Sequence, residues 1–217
     1  MVRELLDSSF PVKEILLREG RDCPEWIREG IPVTLLPDHV FDTISTVRTP
    51  QGIAAVAGMS PRPAEGRLLL ALDAVQDPGN VGTILRTADA AGFSGALLGP
   101  ECADVFSPKV LRATMGSIFR IGLSFPENLA EALLSLRGDG YAILSSQLDG
   151  NPFYDRKDVG APLVLIIGNE GSGVSSAVRK TATHRYRLPM RGGAESLNAA
   201  VAAAIMMYDL AKTEFGG

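Results

Sequence analysis

The sequence predicts an α/β protein whose core is a parallel sheet covered by helices on both faces. Three observations predict it. LLLALDA (68–74) and LVLIIG (163–168) are apolar runs without internal alternation, the mark of strands buried on both sides. Such runs are separated by longer segments with helical period, so that strand and helix alternate along the chain. The composition is 46% hydrophobic, 21% charged and only 6% aromatic, which suits helices packed closely on a sheet through small side chains.

The elements follow in order. Near the start, 12–17, 32–36 and 52–59 read as short strands, and 24–30 and 38–44 as helices between them. They form a small α/β unit over residues 1–60 that begins abruptly, so part of its N-terminal structure is expected to be missing. MSPRPAEG (59–66) breaks the pattern with two prolines, a glycine and charges, and 61–66 reads as a linker. From 67 to 217 the alternation strengthens. Strands are predicted at 68–74, 95–99, 141–147, 163–168 and 184–190. Helices are predicted at 81–91, 107–116, 127–137, 175–182 and 198–213.

No apolar run approaches the roughly 18 residues that span a bilayer, and MVRELLDSSF lacks a signal-peptide core, so a cytoplasmic protein is expected. Cys23 and Cys102 make no C-x-x-C pair and read as reduced thiols. His39 and His184 are isolated, and no metal site is expected. The net charge of −4 argues against indiscriminate nucleic-acid binding. Its distribution is uneven, however. Residues 171–194 hold Arg179, Lys180, Arg185, Arg187 and Arg191 without one acid before Glu195, and 105–126 hold Lys109, Arg112 and Arg120, again acid-free. The two stretches are expected to line one basic face, with Arg112, Arg179 and Arg185 as candidate RNA contacts.

In parallel sheets ligands bind beyond the carboxyl ends of strands, which directs attention to three loops. The first, LDAVQDPGNVGTILRTADAAG (72–92), turns through Pro78 and Gly79 into a helix that Asn80 is expected to cap. Val81, Ile84, Leu85 and Ala88 share one face of that helix; Arg86, about 140° round from Val81, leaves from the polar side. The second, IIGNEGSGVS (166–175), places Gly168, Gly171 and Gly173 around Glu170, whose charge spoils a phosphate cradle. Its order is G-x-x-G-x-G, so the dinucleotide fingerprint G-x-G-x-x-G is not met. The third, RLPMRGGAESLN (187–198), leads through glycines into a helix apolar nearly all round, which demands cover on more than one side.

These three stretches, N-x-G-x-x-x-R (Asn80 to Arg86), I-G-N-E-G-x-G (Ile167 to Gly173) and L-P-M…E-S-L-N (Leu188 to Asn198), resemble in order and spacing the three motifs of the SpoU/TrmH family of RNA ribose 2′-O-methyltransferases. The resemblance covers 66–217, and the upstream residues resemble a partial substrate-binding module found in some members. It implies a SPOUT fold with a C-terminal trefoil knot, a shape that topology rules would not propose. It implies S-adenosylmethionine as cofactor, held around Gly168, Leu188, Met190, Ser196 and Leu197. Arg86 matches the catalytic arginine, which serves the partner subunit's pocket, so a homodimer is implied. Asn80, Glu170, Ser196 and Asn198 match positions that arrange the site. The substrate is RNA, rRNA favoured over tRNA. Two rival readings remain at this point: a catalytically silent RNA-binding dimer of the same fold, and a conventional Rossmann enzyme, which the QDPGNVG turn does not fit.

Overall fold

The two long apolar runs form neighbouring strands at the centre of one sheet. In the computed structural model, which describes residues 1–47 and 49–212, β4 (Leu68–Asp73) pairs in parallel with β8 (Leu163–Gly168), and every residue of β4 is buried. The sheet has six strands in the order β6-β5-β4-β8-β7-β9, all parallel, with β5 at Gly95–Leu98, β6 at Gly122–Ser124, β7 at Ala142–Pro152 and β9 at His184–Arg187. It lies in the larger of two compact units, which begins at Arg62; the smaller spans Met1–Pro61.

Side chains leave a strand alternately to its two faces. Leu68, Leu70 and Leu72 therefore meet α3 (Pro78–Ala90), α4 (Pro108–Thr114) and α7 (Ala199–Leu210), through Val81, Ile84, Leu85, Ala88, Val110, Ala203, Met206 and Met207. Leu69, Ala71, Val164 and Ile166 face the other way and pack on Leu129 and Leu133 of α5 (Leu129–Gly138) and Val178 of α6 (Ser176–Arg179). Burying each such Leu or Ile contributes about 1.5–3 kcal/mol, which fixes the frame from which the loops extend. Residues 62–66 run along the outer edge of β6: the Leu123 N–H donates to the Arg62 carbonyl at 2.7 Å and the Ala64 N–H to Ser124 Oγ at 2.9 Å.

The smaller unit is a three-stranded sheet, β2-β1-β3, from Val12–Arg18 (β1), Val33–Leu36 (β2) and Ile53–Ala57 (β3), with α1 (Val2–Leu6) and α2 (Asp38–Ile44). Its β1–β2 pair is parallel and its β1–β3 pair antiparallel.

Several expectations are corrected. Residues 24–30 are turns, not a helix; the Ile27 N–H donates to the Pro24 carbonyl at 3.1 Å, and Ile27 packs on the small core from that turn. Among the strands and α-helices, two were not expected: α1, and β6, whose three residues Gly-Leu-Ser carry no apolar run. The expected 175–182 helix is a single turn, and β9 stops at Arg187, where Pro189 ends the pairing. β7 extends beyond 147 because Gly150 lies so close to β9 that a Cβ there would sit 2.6 Å from the Tyr186 nitrogen. The last residue of the expected 198–213 helix lies outside the described residues. Among the described residues no helix is long and apolar enough to cross a membrane.

Candidate functional site

In a parallel sheet all the carboxyl ends share one edge, and the register sets Asp73, the end of β4, directly beside Gly168, the end of β8. The first two motif loops thus leave the sheet side by side. The third leaves β9, two strands from β8 and so about 10 Å away.

The start of α3 differs from expectation in a way that matters. Asp77, not Asn80, is its N-cap: Asp77 Oδ1 accepts the Asn80 N–H at 2.8 Å, and Pro78 and Gly79 form the first turn. Freed from capping, the Asn80 side chain points out of the helix. Its Nδ2 donates to Glu170 Oε1 at 2.6 Å, and its Oδ1 accepts from Asn198 Nδ2 at 3.0 Å. Asn198 is the N-cap of α7, its Oδ1 accepting from the N–H groups of Ala200 at 2.9 Å and Val201 at 3.3 Å. The direction of this chain is dictated from one end. The helix N-terminus takes the oxygen of Asn198, so its nitrogen must donate to Asn80, whose nitrogen is then left to solvate the Glu170 carboxylate. One residue from each of the three motifs is joined.

The glycine loop between β8 and α6 is held from below. A Cβ on Gly168 would meet the Gly173 carbonyl carbon and the Val174 nitrogen at 2.4 Å, so only glycine allows the loop to close on itself. Asn169 and Gly173 exchange two backbone hydrogen bonds, of 3.0 and 2.9 Å. The Asn169 side chain accepts the Gly171 and Ser172 N–H groups at 2.9 and 3.0 Å and donates to the Ala74 carbonyl at 2.9 Å, where Ala74 adopts φ +55°. Asp73, almost wholly buried, accepts the Ser175 N–H at 2.6 Å. Sequence reasoning missed Asn169 and Asp73. An Asn followed by Gly after a strand is an Asx-turn signal that would have found the first; a lone carboxylate closing an apolar run points to the second.

The remaining candidates fall as follows. Gly168, Leu188 and Met190 are half-buried in the loops at the strand ends, and Leu188 packs on the main core; Ser196 and Leu197 lie in the exposed run 191–198. Arg86 is exposed and makes no hydrogen bond or ion pair among the described residues. Six residues beyond Asn80, it lies about 9 Å along the helix axis and about 120° around it, turned away from the Asn80–Glu170 contact. Arg112 is exposed on α4, Arg185 is exposed on β9, and Arg179 pairs with Asp149. The expected single basic face is not formed within this chain, because α4 and α6 cover opposite faces of the sheet.

Two alternatives in the chemistry are narrowed. Burial pushes the Cys102 thiol above its ordinary value, outweighing hydrogen bonds from Val75 and Ala74, so it is no ready nucleophile. Among the described residues no cluster of three or more His, Cys, Asp or Glu could hold a metal. A cavity of about 660 Å³ lies by β7 and β9, lined by residues including Asn151, Arg156, His184 and Tyr186, but no residue of the three motifs lines it.

Comparison with known proteins bears on this geometry. Residues 67–208 match the model of the SpoU rRNA Methylase family, and residues 1–63 match that of the RNA 2′-O ribose methyltransferase substrate-binding module. A 23S rRNA (guanosine(2553)-2′-O)-methyltransferase of Bacillus subtilis is 40% identical over 211 residues, 97% of this chain and 85% of that one. The SpoU methyltransferase AviRb of Streptomyces viridochromogenes, solved with AdoMet, superposes with a TM-score of 0.87 at 26% identity, covering 100% of this chain and 88% of that one. An AdoMet-bound rRNA methyltransferase of Sinorhizobium meliloti gives 0.84 at 32% identity, covering 100% and 86%.

Proposed function

Since the chain belongs to the SpoU rRNA Methylase family, RNA 2′-O-methyltransferases that use S-adenosylmethionine, we propose that its substrate is ribosomal RNA and that it works as a homodimer with Arg86 acting at the partner's site. The observation that carries this reading is the Glu170–Asn80–Asn198 chain beside an Arg86 turned away from it. A site assembled in one protomer, with its cation directed elsewhere, calls for an arginine from a second copy. The exposed stripe of α7 supports the same reading. Val201 and Tyr208, seven residues apart on one helix face, are 48% and 47% exposed, with half-buried Ala204 and Ile205 between them.

The residues fit the cofactor. Half-buried Leu188 and Met190 offer apolar surface to its adenine, and the glycine loops offer main-chain donors and acceptors. Glu170 stands where a carboxylate would repel a phosphate but not a sulfonium. We assign the cradle to Gly168, Leu188, Met190, Ser196 and Leu197. The cofactor supplies a methyl group activated on sulfur. The ribose hydroxyl is a weak nucleophile until its proton leaves, and guanidinium never serves as a base of ordinary strength because it stays charged. Arg86 therefore acts by stabilising the developing alkoxide and pinning the adjacent phosphate with its planar fork, while the hydroxyl proton passes to solvent. Asn80, Glu170 and Asn198 are positioning residues that hold the three loops in one arrangement, and we assign Ser196, two residues before Asn198, to the same task.

In this reading residues 1–60 form the RNA-recognition unit and the residues from 67 onward the catalytic one, with 61–66 between them. The C-terminal segment threads to form the trefoil knot, a reading supported by β8 lying between β4 and β7 while α7 returns to pack on α3. We assign RNA contact to Arg112 and Arg185, both exposed, and to Arg179, which would exchange Asp149 for phosphate. The protein acts in the cytoplasm, where rRNA is exposed during assembly. Mapping ribose methylation on an unmodified 23S rRNA transcript incubated with protein and S-adenosylmethionine tests the substrate. A single new 2′-O-methyl nucleotide is expected; methylation confined to tRNA would overturn the reading.

A further inference from the structure

Phe125 is 50% exposed, whereas Phe10, Phe41, Phe93 and Phe153 are buried at 7, 2, 2 and 0%. It follows directly on β6, and its position can be traced through the sheet. Ser124 is level with Leu97 on β5, and Leu98 with Leu72 on β4, so Phe125 is level with the end of β4, two strand spacings or about 10 Å across. Leu123 points into the core beneath α3 and α4, so Phe125, two residues on, projects to that same face. Phe106, just before α4, packs partly on the same core, and its ring centroid lies 6.1 Å from that of Phe125 at 48°. The half-buried neighbour braces the ring, and Phe125 itself stays half exposed.

We propose that Phe125, braced by Phe106, is a stacking platform for one unpaired base of the RNA substrate. The inference rests on the reading of the chain as an RNA methyltransferase but does not follow from it, since neither ring lies in the three motifs. The surroundings support a nucleobase over other occupants. The platform stands on the carboxyl edge of the sheet, the edge from which the motif loops leave. It faces the side of α3, which carries Arg86. On α4, the helix that starts two residues after Phe106, Lys109 and Arg112 are exposed cations suited to the backbone of a strand whose base lies on the ring. Lys109 lies 3.8 Å from Asp77, the cap of α3, so this basic edge adjoins the helix that holds Asn80. Exposed Glu127, two residues on, disfavours a phosphate at the ring itself, whereas a stacked base carries no charge. An aromatic side chain held by packing binds at small conformational cost.

The test uses the full chain with an unmodified 23S rRNA transcript and three variants. Phe125→Ala should raise the KM for the transcript about tenfold, the scale of one lost base stack, and leave S-adenosylmethionine affinity unchanged. Phe125→Leu should behave like the alanine variant, and Phe125→Trp should retain affinity. In a Trp26→Phe background the indole of Phe125→Trp should be quenched as the transcript is added. An unchanged KM for Phe125→Ala overturns the proposal, as does full rescue by leucine, which would mean an apolar contact without stacking. A shift to monomer in light scattering would also overturn it, marking the ring as a contact between copies. If the parent protein methylates the transcript while Phe125→Ala keeps its KM, only the platform falls. Should the parent leave the transcript unmethylated, the substrate reading falls instead.

Discussion

The two sheets of this chain reach burial by different means. In the six-stranded sheet, β4 is buried at all six positions, and two separate apolar clusters flank it, one under α3, α4 and α7 and one under α5 and α6. In the three-stranded sheet no strand is buried throughout, and the central cluster is Leu6, Ile15 and Leu17, with Val33 and Leu35 of the edge strand left 40% and 57% exposed. The difference matters for function. A sheet covered on both faces holds its strand ends in fixed register, so exposed polar loops can be arranged on it without contributing to the core. A small sheet with one thin cluster is marginal by itself, as small units generally are.

Core truncation should break this comparison open first. Leu70→Ala and Leu17→Ala each remove a fully buried leucine, and each should cost about 2–5 kcal/mol. In the larger unit that loss should lower the midpoint of the main urea transition. In the smaller unit it should unfold residues 1–61 selectively, leaving S-adenosylmethionine affinity intact. Hydrogen exchange and calorimetry on both variants would check it; a single joint transition in Leu17→Ala would mean that the smaller unit is not independent.

The loops on the robust sheet should tolerate change without loss of fold. Arg86→Ala should lower single-turnover methyl transfer at least a hundredfold, about 2.7 kcal/mol, while unfolding free energy changes by less than about 0.5 kcal/mol. Arg86→Lys should recover little, because an ammonium lacks the planar fork. A loss smaller than about tenfold, 1.4 kcal/mol, would remove Arg86 from its assigned role. Asn80→Ala should be milder, about ten- to thirtyfold in rate with raised KM for the cofactor, since it loosens the loops but removes no group that touches the ribose. Equal effects of Asn80→Ala and Asn198→Ala, with no further loss in the double variant, would mark the chain as one unit.

The smallest expected effect concerns acid. Burial alone would raise the Asp209 carboxyl, but hydrogen bonds and charge from Arg156 and Lys212 outweigh it and hold the group below the usual carboxylate range. A lowered value in the folded state stabilises the fold above the unfolded carboxylate range, near pH 4, and is lost as pH falls below it. Asp209→Asn should therefore cost less than about 1 kcal/mol at pH 7 and less still at pH 2. An identical cost at both values would show that the Arg156 contact is steric.

How much of this was legible depended on the same contrast. The runs 68–74 and 163–168 could be read because burial on both faces writes a continuous apolar word, and the stripe of Val81, Ile84, Leu85 and Ala88 because one helix face packs. Gly122–Ser124 could not be read, since a three-residue strand has no period to recognise. In the smaller unit Glu25, Trp26, Ile27 and Arg28 imitate helical spacing, but tertiary contacts of Ile27 hold a turn instead. At the site, the motif residues were visible and their connections were not. Both Asp77 and Asn80 are capable caps; the preference of Pro for the first helical turn identifies Asp77, and only then is Asn80 free to join Glu170 to Asn198.

The central claim is that each site is built by one protomer and completed by the other's Arg86. Mixing Arg86→Ala protein with Glu170→Ala protein, under conditions that exchange subunits, tests it most directly. If Arg86 acts across the interface, each mixed dimer contains one site with both defects and one with neither, and methyl transfer should return to about a quarter of the parent rate. If Arg86 served its own protomer, every site in the mixture would keep one defect, and the rate would stay at the average of the two impaired parents.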